Sequence, residues 1–255
     1  MAVVLEGGCR VSTMHEGAPR VFGSLKVWNQ IGRASGAQAI SLRILEFGEG
    51  RSPALCNPEY DEVIYVHEGD FTVFIDDVAY EVGPDFIDDV AYEVGPETGI
   101  YLRPAQTLIV ENGGPNVARF VSSQCPKEMF SKRSERPPIV KLSDRRALPT
   151  ADRWYRVLVD DEVGSEQVTQ FVGSIPPGRA PDHFHEYEEV LFILRGEGRM
   201  WAGDTNTPIG PGSCIYLPKR QVHCVENTGE GELRLLGVFY PAGSPAVRYE
   251  TADQG

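Results

Sequence analysis

Apolar and polar residues alternate along this chain in short runs, and almost nowhere at the three-to-four spacing of an amphipathic helix. The stretches AISLRILEF (39–47), VIYV (63–66), FTVFI (71–75), WYRVLVD (154–160), VLFIL (190–194) and LRLLGVFYP (233–241) are rich in β-branched and aromatic residues. Turn residues separate them at short intervals, which predicts an all-β fold of barrel or sandwich type. Glycine and proline make up 46 of the 255 residues, about 18% against a usual ~12%, so many turns and few long helices are expected. No apolar run exceeds about five residues, against roughly 20 for a membrane helix, so no helical span is expected. The N-terminus MAVVLEGGCR has no basic start followed by a long apolar stretch, so no secretory signal is expected either.

Two repeats organise the chain. Residues 74–85 (FIDDVAYEVGPD) and 86–97 (FIDDVAYEVGPE) are adjacent and identical at eleven of twelve positions, which reads as a tandem duplication, natural or engineered. A longer and more diverged repeat relates the two halves. EYDEV (59–63) matches EYEEV (186–190), GRSP (50–53) matches GRAP (178–181), and residues 100–114 align without gaps to 215–229 with eight of fifteen identical. Glu189 and His223 are 34 residues apart, their counterparts Glu62 and Leu108 are 46 apart, and the excess of 12 is the length of the duplication. The expected organisation is an N-terminal barrel (1–130), a basic linker (131–150) and a C-terminal barrel (151–255). One copy of the duplicated segment should fill the native hairpin. The other should loop out, or form an added hairpin whose edge a partner subunit would cover.

Charge and cysteines narrow the function classes. The net charge is −13, which disfavours a nucleic-acid-binding face, although residues 132–146 carry +4 as an expected solvated linker. Five cysteines, an odd number with no CxxC spacing, suggest reduced thiols in a cytoplasmic protein. No GxSxG, Walker A or Rossmann glycine pattern and no helix-turn-helix extension is present.

The chemistry concentrates in the second half. His183 and His185 lie at i and i+2, on one face of a strand. Glu189 begins the next apolar strand, and His223 follows a turn marked by Pro218. Three imidazoles and a carboxylate converging inside a barrel suit Mn, Fe(II), Zn, Ni or Cu. A lone HxH is more often a chance surface pair; the full spacing HxH-x3-E-x6-G followed by G-x5-P-x4-H-x3-N is far more specific.

These two segments resemble the signature motifs of the cupin superfamily, with Arg220 standing where the family usually has glycine. The resemblance extends over both halves and implies a bicupin: two tandem jelly-roll β-barrels. It implies that His183, His185, Glu189 and His223 bind one divalent metal per chain in the C-terminal barrel, Mn or Fe(II) favoured over Zn or Ni. In the first half the aligned residues are Cys56, Pro58, Glu62 and Leu108, so that barrel is expected to bind no metal and to serve packing, dimerisation or closure of the other barrel's mouth. Residues shared by the halves (Tyr101/Tyr216, Gln106/Gln221, Glu111/Glu226, Asn112/Asn227) are expected to serve the fold. Two functions follow from the resemblance. One is a mononuclear metal enzyme on a small oxygen-rich molecule, of dioxygenase, decarboxylase or isomerase type. The other is a non-catalytic metal-containing binding or storage module. The expected partners are a small-molecule substrate and a second copy of the chain as a homodimer, with neither nucleic acid nor membrane.

Overall fold

A computed structural model of the protein describes residues 1–76, 89–127 and 137–246. These residues form β-strands joined by turns and single-turn 3-10 segments, as the alternation predicts. Two sheets belong to each half. In the first half, a sheet running from Ile139–Lys141 through Thr98–Leu102, Tyr60–Glu68, Ala118–Pro126, Leu42–Phe47 and Leu25–Ile31 to Arg20–Phe22 faces a smaller sheet built on Phe71–Asp76 and Thr107–Asn112. In the second half, Ser213–Leu217, Glu188–Arg195, Leu233–Tyr240, Thr169–Ile175 and Arg153–Val159 run side by side, facing a four-stranded sheet that contains Gly198–Ala202 and His223–Asn227. All pairings are antiparallel, as in jelly-roll barrels.

Three apolar cores explain why the central runs are unbroken rather than alternating. One core fills each barrel and a third lies between them. In Glu188–Arg195, Leu191 and Ile193 face the barrel interior while Val190 and Phe192 face the other half. In Tyr60–Glu68, Ile64 and Val66 face inward while Val63 and Tyr65 face the second half. A strand with apolar neighbours on both faces has no polar side to present. The same period of two splits the acidic pair of each EY(D/E)E motif. Glu189 and Glu62 turn into their barrels, and Glu188 and Asp61 turn to the seam.

The seam is clasped twice by related contacts. Glu188 accepts hydrogen bonds from the backbone N–H groups of Gln38 (2.8 Å) and Ala39 (2.7 Å) and from the Tyr216 hydroxyl. Asp61 accepts from the Tyr101 hydroxyl (2.7 Å) and from the Gln167 amide. Asn112 and Asn227 also do one job twice. Each donates to the carbonyl of a residue ending a strand of the facing sheet, Phe47 or Ile175, and to the turn that follows the asparagine, Asn116 or Gly231. These shared residues serve the fold, as expected.

Two segments depart from the expected division. Residues 3–13, assigned by sequence to the first barrel, pair in the second: Arg10–Thr13 lies antiparallel to Ser213–Leu217, and Leu5, Cys9 and Val11 enter the C-terminal core. Residues 139–150, assigned to a solvated linker, are also built in. Ile139–Lys141 pairs with Thr98–Leu102, Leu142 is buried in the seam, and Arg145 bonds Glu162 and the Leu158 carbonyl. Spacing between repeats locates equivalent strands; it carries no signal for a terminal strand that crosses to the other copy.

The duplication is resolved in an unexpected way. The first copy supplies the outgoing strand Phe71–Asp76 and the second supplies the returning strand Asp89–Val94, with Ile75 opposite Val90 and Phe74 opposite Ala91. That register is the one a two-residue Asp-Asp turn would give a chain with a single copy. The hairpin is therefore a hybrid of both copies. The intervening residues 77–88, and with them the looping-out expectation, lie outside the described residues.

Candidate metal centre

Three of the chain's five histidines meet inside the C-terminal barrel. His183 and His223 face each other across a two-residue antiparallel bridge, each donating its backbone N–H to the other's carbonyl (3.1 and 2.8 Å). His185 follows on the same side. One ring nitrogen from each of His183, His185 and His223 lies within 4.8 Å of the other two. Glu189 reaches them from the floor, its Oε2 3.8 Å from Nε2 of both His185 and His223. The three predicted imidazole ligands thus converge, with Glu189 beside two of them.

The surrounding contacts fix how the rings point. His183 Nδ1 lies 3.0 Å from the Pro181 carbonyl and His223 Nδ1 lies 2.7 Å from the Gln221 carbonyl. A carbonyl can only accept, so each Nδ1 carries the proton and each Nε2 keeps its lone pair for the centre. The His185 ring stacks on Tyr187 (4.8 Å, 12°), whose hydroxyl donates to the Ser244 carbonyl (3.1 Å). Arg220 has φ +63, the left-handed conformation that glycine adopts without strain, which accounts for a glycine preference at this turn. Its backbone N–H donates to the His185 carbonyl (2.7 Å), joining the two ligand-bearing loops.

The electrostatics of the site ask for a cation. Burial pushes the Glu189 carboxyl up to about 8, and its Oε2 has no hydrogen-bond partner. Burial, then the neighbouring His183, holds His223 well below the usual imidazole range, so the 3.8 Å approach is not an ion pair. Two imidazoles turned by backbone carbonyls, a third beside them and an unsatisfied buried carboxylate oxygen are what a mid-hardness divalent ion would satisfy. The residues present fit the implied metal.

A cavity of about 90 Å³ opens onto all four residues. Phe171, Leu191, Val225, Leu235 and Phe239 form apolar walls, and Arg153, Thr150 and Ser174 add polar groups. Sequence reasoning missed Arg153. It sits in the first strand of the second half, far from both motifs, with nothing local to mark it. Cys224 is buried, as expected beside a ligand, and accepts from Arg179 Nε (3.2 Å). Met200 is core, while Trp201 donates to Glu226 (2.8 Å); neither lines the cavity. Gln221 turns its side chain away, to the Val222 carbonyl. His15 pairs with Glu46 and His67 packs edge-on against Phe192, both remote from the centre.

The first half shows the same strand positions put to another use. By register, Glu62 opposes Gln124 and Arg43 opposes Ser122, as Glu189 opposes Phe239 and Phe171 opposes Gly237. Glu62 is held by the Arg43 guanidinium, the Ser122 hydroxyl (2.6 Å) and the Gln124 amide (2.9 Å). Phe171, by contrast, lies over Gly237, where a Cβ would come within 2.3 Å of its ring. Of the other aligned positions, Leu108 is fully buried and Cys56 is exposed.

Residues 171–239 match the family model described as a cupin domain. Those residues of the second half are a cupin domain. Among curated cupin relatives the chain is 31% identical over 86 residues to auxin-binding protein 1 of Arabidopsis thaliana, covering 30% of this chain and 43% of that protein. It is 36% identical over 67 residues to an oxalate-binding protein of Thermotoga maritima, covering 26% of this chain and 55% of that protein. The chain thus spans about half the length of these relatives. Solved structures of Bacillus subtilis oxalate decarboxylase share the bicupin fold. One variant superposes with a TM-score of 0.74 at 13% identity, covering 92% of this chain and 78% of that one. Another, described for its Mn(II) centres, gives 0.73 at 13% over 92% and 78%.

Proposed function

We propose that this cupin is a mononuclear metal-dependent enzyme acting on a small carboxylic acid in its C-terminal barrel. His183, His185 and His223 would hold the ion through ring nitrogens and Glu189 through a carboxylate oxygen. The observation that carries the reading is the shared cavity: the four ligands, an apolar wall and one arginine around about 90 Å³. A bound Mn(II) or Fe(II), or else Zn or Ni, would supply Lewis acidity or an open position for water or O₂. Arg153 would take the substrate carboxylate, since a guanidinium matches that group with two parallel donors. Phe171, Leu191 and Phe239 would exclude water, which strengthens both interactions. The oxalate-related names among the relatives support a small acid as the substrate class; decarboxylation, dioxygenation and isomerisation are the reactions to test.

The test loads the full chain with Mn(II) or Fe(II) and screens oxalate and other small carboxylic acids aerobically and anaerobically. Carbon dioxide release or oxygen uptake is expected, and is expected to fail in His183→Ala/His223→Ala. A specific observation also favours the binding-module reading: no lysine or carboxylate besides Glu189 is among the residues that line the cavity. Saturable, metal-dependent binding of the acid without turnover would select that reading.

We further propose that the first barrel carries no ion, because Arg43 already supplies the positive charge at Glu62. Unpaired thiols at all five cysteines support a reducing, cytoplasmic location. No helix among the described residues is long and apolar enough to cross a membrane. The exposed edge strand Arg20–Phe22, with Val21 and Phe22 in solvent, supports a homodimer, which sedimentation would test.

A further inference from the structure

We infer that the N-terminal turn at residues 5–9 belongs to the scaffold of the metal centre, with Gly7 and Glu6 acting as positioning residues for His223. The inference rests on the reading of His223 as a metal ligand. The chain reaches this place by crossing from the first half. Val3–Val4 folds back on Arg10–Thr13, and the turn between them is closed by the Leu5 N–H donating to the Cys9 carbonyl (2.8 Å). Gly7 (φ +67) and Gly8 (φ +89) both take left-handed conformations there, which only glycine adopts freely.

The turn grips both segments that aim His223. On one side it meets the loop before the ligand. A Cβ on Gly7 would stand 1.5 Å from Oε1 of Gln221, and one on Gly8 3.7 Å from Pro218. Gln221 holds His223 directly: its carbonyl takes the Nδ1 proton and leaves Nε2 for the centre. On the other side the turn clamps residues 203–205, which follow the strand partner of His223. Ala202 pairs with His223. The Glu6 carboxylate accepts from the Asp204 N–H (3.0 Å), and the Glu6 N–H donates to Thr205 Oγ1 (2.8 Å). Leu5 and Cys9 anchor the turn in the same core as Ala202 and Leu217. A side chain at residue 7 must displace the Gln221 amide, which donates to the carbonyl of Val222, the residue just before His223 (2.8 Å), so the clash breaks a hydrogen bond that fixes the loop carrying the ligand. Groups one bond removed from a ligand typically change metal affinity by about 10- to 100-fold when altered.

The test titrates the full chain with Co(II) and Mn(II) against a chelating dye and records the visible Co(II) spectrum. Gly7→Ala is expected to weaken binding by about 10- to 100-fold and to shift the spectrum. Gly7→Ala/Gln221→Ser, which removes the clash, is expected to restore most of both. Gly17→Ala introduces the same left-handed strain (φ +81) with no neighbour within 4 Å, and is expected to leave both unchanged. Glu6→Ala, a change at an exposed residue, is expected to weaken binding by a smaller factor and decides the matter if Gly7→Ala does not fold. Parent-like affinity and spectrum in the folded variants would overturn the inference. A parent chain that takes up neither ion would instead overturn the metal reading beneath it.

Discussion

Glu189 and Glu62 stand at equivalent places and are stabilised in opposite ways. In the metal-free fold Glu189 is pushed up to about 8, so it stays protonated at pH values where the unfolded chain has already released that proton. Binding fewer protons when unfolded, the metal-free fold loses stability as pH rises toward 8. A metal ligand must be a carboxylate, so ion uptake expels the proton. At pH 7 and above His223, held low, is neutral and adds nothing to the pH dependence. Mn(II) affinity is therefore expected to rise about fivefold between pH 7 and 8, and to be flat over that range in Glu189→Gln; dye-competition titrations at several pH values check this. Glu62 gives the converse case. Arg43→Met leaves its carboxylate buried without a cation and is expected to cost about 3–5 kcal/mol by urea unfolding. Arg43→Met/Glu62→Leu should recover much of that loss, and metal content should not change in either. The meeting of His183, His185 and His223, with Glu189 beside them, was legible because the motif spacing is distinctive. Arg43 and Arg153 were not, because an arginine facing into a barrel looks the same in sequence as one facing water.

At the level of elements, strands were legible where turn residues bracket them, and EYEEV even encodes which acid faces which core. The hybrid hairpin was not, since two identical copies give a pairing rule no means of choosing between them. Its register makes a direct prediction. Joining Asp76 to Asp89 by excising residues 77–88 makes those two residues the turn and leaves every pair from Ile75–Val90 to Phe71–Val94 in place. The shortened chain is expected to fold, with the parent's metal content and a Tm no lower than the parent's. A collapse in Tm on calorimetry would mean that the extra residues contribute to the barrel.

As a whole, the molecule is two barrels that complete one another. The N-terminal strands finish the C-terminal barrel, Ile139–Lys141 finishes the other, and the seam core draws side chains from both. Residues 151–255 alone would lack the strand beside Ser213–Leu217 and expose Val190, Phe192, Leu236 and Val238, each contributing about 1.5–3 kcal/mol when buried. That fragment is expected to aggregate or bind no ion, as size-exclusion chromatography and metal analysis would reveal. The two-copy architecture was legible from the internal alignment; the exchange of strands was not, because the exchanged segments are the ones the repeat does not cover.

The neighbouring acids Glu188 and Glu189 set a parity rule for this protein. One extra or missing residue between Glu188 and the end of its strand would exchange the seam-facing acid for the one beside the histidines and turn both cores inside out. Insertions within such strands are tolerated only in even numbers, if at all. A hairpin tip is exempt, because residues added there lie between two strands that remain in step whatever the count. The duplication found in this chain joins its strands at such a tip, the one kind of place where a copying error of any length leaves the arithmetic of the walls intact.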